Sequence, residues 1–194
     1  LQDRVPPFPN SFSIEHPKYA GAFGLSELAF PGFPNKNILP LPFTKRTELK
    51  QIRQVWVFGP YVEFGEMPQE VRLRLSREFL EYLIKKGVNE IHIKFHPSQY
   101  LYSDLMAELR KTLHYYQDRI TLHEIPQSVS LEDIAYSSRA DFYLITSSAA
   151  IYAIACGCRV FSFAHRAVEY HPSFQKTLDA VPENIRQKIE FIEL

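Results

Sequence analysis

Cysteine is nearly absent from this sequence. The two that occur, Cys156 and Cys158, are separated by one residue. A disulfide over that spacing is geometrically poor, and no third cysteine offers another partner. Both read as small, reduced, packed side chains, which fits a reducing, cytoplasmic compartment. No apolar run approaches the roughly 18 residues of a membrane-spanning helix, and no secretory signal is visible. An excess of either charge is also lacking. The 22 Lys and Arg balance 22 Asp and Glu, which argues against a duplex nucleic-acid partner. A nucleotide stays compatible with that balance, because one small anionic site needs only a few local donors. Only 7 glycines occur among 194 residues. There is no Gly-x-Gly-x-x-Gly, which argues against an NAD enzyme, and no Walker A motif, which argues against an NTPase. No His, Cys or Asp set has ligand spacing, so no metal and no other cofactor is expected.

What is present divides the chain in two. Residues 1–50 form a Pro- and aromatic-rich segment. Eight of the 14 prolines precede residue 48, interleaved with Phe8, Phe12, Tyr19, Phe23, Phe30, Phe33 and Phe43. Proline removes donors and biases its predecessor away from helix. Extended or irregular chain is therefore expected there, wrapping its own domain as a linker or packing against another domain, and the aromatics make a homo-oligomer conceivable.

Residues 51–194 alternate between strand and helix signals. Val55–Phe58, Ile91–Phe95, 119–123, Phe142–Ile145 and Val160–Phe163 read as strands. Helical spacing marks 68–86, 102–114, 130–138 and 147–156, with weaker helices after Pro172 and Pro182. This alternation predicts an α/β domain, a Rossmann-like parallel sheet with helices on both faces. In such sheets ligands bind beyond the carboxyl ends of the strands, so the strand-end loops carry the candidate residues.

Three loops stand out. His96-Pro97 follows a strand, where imidazole can donate a proton or hydrogen bond to phosphate; a structural histidine is the plainer alternative. The dipeptide recurs at His16-Pro17 and His171-Pro172, and only position distinguishes His96. Thr146-Ser147-Ser148 opens a helix, where hydroxyls and unpaired N–H groups suit an anion, or simply cap the helix. Glu124 ends another strand, as a ribose acceptor or a solvated loop carboxylate.

The combination is more specific than its parts. A strand-end His-Pro, a strand-end Glu 28 residues on and Ser-Ser 51 residues after the His resemble the bacterial GT-B sialyltransferases. These include the lipooligosaccharide sialyltransferases and capsular polysialyltransferases, with their HP and SS motifs. The resemblance covers about residues 53–165, the nucleotide-binding half of a GT-B enzyme. It implies a CMP-sialic acid donor, a cell-surface glycan acceptor and inverting transfer without a metal. It implies His96 as the catalytic donor to the CMP phosphate, Ser147 and Ser148 as the phosphate cradle, Glu124 on the ribose, and Gly59, Pro60 and Pro97 near the nucleotide. It further implies an acceptor domain N-terminal to this stretch and a location peripheral to the inner membrane. The family's acidic Asp/Glu-Asp/Glu-Gly motif does not occur here. Its base then lies in that other domain, or Glu63 or Glu66 substitutes. Kdo and CDP-glycerol transferases, which use similar loops, and a non-catalytic binding or assembly domain are the alternatives.

Overall fold

The computed structural model describes residues 11–16, 19–24, 37–38, 45–181 and 183–194. The first three stretches are backbone strands: β1 (Ser11–His16) and β2 (Tyr19–Gly24) pair antiparallel, and β3 (Asn37–Ile38) runs parallel to β2. The extended chain expected there is thus partly organised as a small sheet. The packing of Phe8, Phe30, Phe33 and Phe43 lies outside the described residues.

From Lys45 onward the chain builds one layered domain. Its strands are β4 (Gln54–Val57), β5 (Glu90–Lys94), β6 (Thr121–Glu124), β7 (Asp141–Leu144), β8 (Val160–Ser162) and β9 (Glu190–Phe191). Every pairing among these six is parallel, in the order β6-β5-β4-β7-β8-β9. Chain order therefore reverses at β4, where β5 and β6 extend one side and β7 to β9 the other. This is the 3-2-1-4-5-6 arrangement of doubly wound, Rossmann-like sheets.

Strand alternation sends successive side chains to opposite faces, and the core divides accordingly. Trp56, Ile91, Ile93, Tyr143 and Phe161 face one layer, with α1 (Gln69–Lys85), α2 (Ser103–His114) and α5 (Ala164–Tyr170). Val55, Val57, Phe142, Leu144 and Val160 face the other, with α3 (Leu131–Ser138), α4 (Ala149–Ala155) and α7 (Glu183–Arg186). Central strands buried on both faces explain the unbroken apolar runs of the sequence.

The longest helix, α1, shows why the periodicity was readable. Val71, Leu75, Phe79, Leu80 and Leu83 are all buried on one stripe. Each such side chain contributes about 1.5–3 kcal/mol by leaving water. Gly87, at φ 75°, ends the helix as Val88 N–H donates to the Leu83 carbonyl at 3.0 Å, a Schellman closure. In α3, Ser130 Oγ accepts from Asp133 N–H at 3.0 Å, the cap its sequence position suggests.

Three elements after residue 50 were not foreseen. Residues 97–101 form a 3-10 helix, Ala164–Tyr170 form α5, and β9 adds a sixth strand after Val160–Ser162. The packed unit also takes in residues before 51: Leu49 is buried in the α3/α4 layer, and Arg46 N–H donates to Ser137 Oγ at 2.9 Å. A short helix α6 (Gln175–Asp179) follows residues 172–174 and buries Leu178 in the α1 layer.

Candidate functional site

The strand reversal leaves a crevice between the loops that leave β4 and β7. Tyr61 and Thr146 tie these loops together. Thr146 N–H donates to the Tyr61 phenol oxygen at 3.0 Å, and the two hydroxyls lie 3.0 Å apart. Burial, outweighing those hydrogen bonds, pushes the Tyr61 pKa up to about 12, so the phenol stays neutral. Gly59 makes the contact possible: a Cβ there would lie 2.3 Å from the Tyr61 ring.

A cavity of about 820 Å³ opens above these loops. Gly59, Pro60, Glu66, His96, Pro97, Ser147 and Ser148 all line it, together with Lys94, Glu132, Tyr152 and Lys176. The size suits a small organic ligand with few polar contacts. Seven of the residues named from sequence thus share one wall system, although they come from three separate loops.

His96 stands at the mouth of the cavity and caps the 3-10 helix at 97–101, with Pro97 at its first position. Ser98 N–H donates to His96 Nδ1 at 3.2 Å. A backbone N–H can only donate, so Nδ1 accepts, and the neutral ring carries its proton on Nε2. The ring's partial burial lowers its pKa from 6.5, with Glu63 pulling the other way. His96 is therefore a neutral Nε2–H donor at neutral pH. Gln99, fully buried, completes the turn by accepting from His96 N–H at 2.8 Å.

The serines divide their work. Ser147 Oγ accepts from Ala149 N–H at 3.1 Å and caps α4. Ser148 makes no such capping bond and lines the cavity. Lys94, two residues before His96, donates from Nζ to the Pro126 carbonyl at 2.7 Å. Burial lowers its pKa against the opposing pull of Glu132.

The acidic candidates separate. Glu66 lines the cavity and accepts from Thr177 Oγ1 at 3.3 Å. Glu63 does not. Its side chain is wholly buried and paired with Arg72 of α1, Nη1 to Oε1, at 2.5 Å. Glu124 also stands apart. Arg110 holds both its oxygens at 2.9 and 3.0 Å, and the Tyr100 hydroxyl donates to it at 2.9 Å. It lines a separate groove of about 460 Å³ with His114 and Leu122. The carboxylates that line the cavity are Glu66 and Glu132.

Sequence reasoning missed Lys94, Glu132, Tyr152 and Lys176. Lys94 was within reach, since strand alternation places it on the same side as His96. Lys176 comes from α6, about 80 residues beyond His96, and no local signal marks it. His92 and His123 stack at 4.8 Å toward the sheet edge, and His165 packs on Phe191; none lines the cavity.

Among the described residues there is no cluster of three or more His, Cys, Asp or Glu suited to a metal, and no helix is long and apolar enough to cross a membrane. No protein-family model matches the chain, and no curated protein matches it.

Proposed function

We propose that this cavity binds the nucleotide of a cytidine nucleotide-sugar, of the CMP-sialic acid kind, and that the chain is the donor-binding domain of an inverting glycosyltransferase acting on a cell-surface glycan. The observation that carries the reading is the convergence of His96, Ser147 and Ser148 on one cavity at the strand reversal of the sheet. Ligands of doubly wound sheets bind at that place.

The polar groups suit a departing phosphate. The Nε2–H of His96 and the hydroxyl of Ser148 are neutral donors that stabilise charge developing on the leaving oxygen. In the transfer, a base takes the proton of the acceptor hydroxyl, and the acceptor oxygen bonds to the anomeric carbon. The bond from that carbon to the phosphate oxygen breaks, and CMP leaves with the electron pair. Glu66 is the carboxylate of this chain best placed to be that base. Glu132 takes the ribose-binding role that Glu124, held by Arg110, is poorly free to fill.

One observation favours a second reading. His96 and Ser147 each cap a helix, so both loops have a structural use without a ligand, as in a binding or assembly domain. Amide chemical shifts recorded during addition of CMP separate the two. The nucleotide reading expects perturbation at residues 57–61, 94–98 and 146–149 together. Spectra unchanged by millimolar CMP count against it and favour the structural reading.

A further inference from the structure

We infer that Phe64 is the stacking platform for the sugar ring of the donor, an inference that rests on the nucleotide-sugar reading of the cavity. Phe64 is 62% exposed, whereas every other phenylalanine among the residues with described side chains is buried or half-buried. Its ring nonetheless lines the cavity and stands edge-on to the His96 ring, with centroids 6.5 Å apart.

An exposed aromatic on a floppy loop would mean little, but this loop is braced. Phe64 N–H donates to the Pro60 carbonyl at 3.0 Å, and Glu66 N–H to the Tyr61 carbonyl at 2.7 Å. Gly65 turns the chain at φ 72°, a left-handed conformation that suits glycine. On one side of Phe64, Glu63 is bolted to Arg72 in the interior; on the other, Met67 is buried in the core. The ring is thus held outward by anchors on both sides. A pre-organised aromatic face loses little entropy on binding, and the apolar C–H face of a pyranose is a suitable partner for it.

The two sides of the cavity tell which part of the ligand this is. The loop carrying Phe64 and Glu66 springs from the α1 layer, whereas Leu131, Glu132 and Tyr152 come from α3 and α4 on the other face. Tyr152 is 9% exposed against 62% for Phe64, so that side is the less open of the two. The Phe64 side is open, and an acceptor hydroxyl must approach from an open side. The nucleoside therefore occupies the less open side, and the sugar lies on Phe64 between His96 and Glu66.

Calorimetric titration of the parent, Phe64→Ala and Phe64→Trp with CMP and with CMP-sialic acid tests this. Phe64→Ala is expected to weaken CMP-sialic acid roughly three- to ten-fold, from the size of an aromatic contact, while CMP changes less than about two-fold on the same scale. Phe64→Trp is expected to restore the donor affinity. Equal weakening of both ligands by Phe64→Ala would overturn the assignment, because the ring would then touch the nucleoside. No change in either would overturn it as well. A parent that binds neither ligand would overturn the nucleotide-sugar reading itself, an outcome distinct from the other two.

Discussion

Tyr61 and Thr146 join the two loops that flank the strand reversal, with the Tyr61 hydroxyl accepting the Thr146 N–H at 3.0 Å. The pair is the floor of the cavity and the reason the loops after β4 and β7 keep a fixed separation. Tyr61→Phe leaves the buried Thr146 amide and hydroxyl without this partner. An orphaned buried donor costs about 1–3 kcal/mol, so chemical denaturation should show a loss of that size. Thr146→Val, which removes the hydroxyl and keeps the amide bond, should lose less.

Gly59 tests the same contact from the other side. In Gly59→Ala the new methyl carbon would meet two ring carbons and the hydroxyl oxygen of Tyr61 at 2.3 to 2.6 Å. The ring is buried and hydrogen-bonded, so it has little room to yield. Overpacking of this kind costs about 1–3 kcal/mol. Thermal unfolding should report that loss, and the Thr146 amide should lose its hydrogen-exchange protection in the same variant.

The Glu63–Arg72 pair behaves differently from a surface ion pair, because the side-chain exposures are 0% and 3%. Glu63 Oε2 and Arg72 Nε have no further partner. Removing one charge strands the other, so Arg72→Met alone should destabilise the fold by about 3–5 kcal/mol. Arg72→Met combined with Glu63→Leu should recover most of that, since an apolar pair of similar volume often matches a buried ion pair. Equilibrium unfolding of the two single variants and the double variant checks the sign.

His96 supplies a pH dependence. Its pKa in the folded chain is lowered below 6.5, mainly by burial. The unfolded chain therefore takes up this proton first as pH falls. The contribution of His96 to stability is full above about pH 6.5 and is lost as pH drops through the lower folded value. His92, lowered by burial and by His123, acts in the same direction. Imidazole nitrogen shifts should give a midpoint for His96 below 6.5, with the proton on Nε2. A proton on Nδ1 in the neutral form would contradict the Ser98 contact.

Much of the fold was legible because its strands and helices carry strong local patterns. Val55–Phe58 and Phe142–Ile145 read as buried strands, and α1 has a full apolar stripe. What escaped notice was short or held by tertiary contacts. β9 has two residues, one of them Glu190, and exists through pairing with Phe161 and Ser162. The 3-10 helix after His96 depends on caps from His96 and Gln99 side chains. At the site, strand-end position picked out Gly59, His96 and Ser147, which line one cavity. It did not reveal which carboxylates turn inward, because the pairing of Glu63 with Arg72 and of Glu124 with Arg110 leaves no mark in the local sequence.

The most direct measurement of the central claim is calorimetric titration of the chain with CMP, repeated on His96→Ala and on the Ser147→Ala/Ser148→Ala double variant. The parent is expected to bind CMP in the micromolar to millimolar range, on the order of −4 to −8 kcal/mol. Both variants are expected to bind CMP more weakly, and UDP and ADP to bind less well than CMP. Absence of heat with CMP, or binding that both variants leave unaltered, would contradict the assignment of this cavity to a cytidine nucleotide.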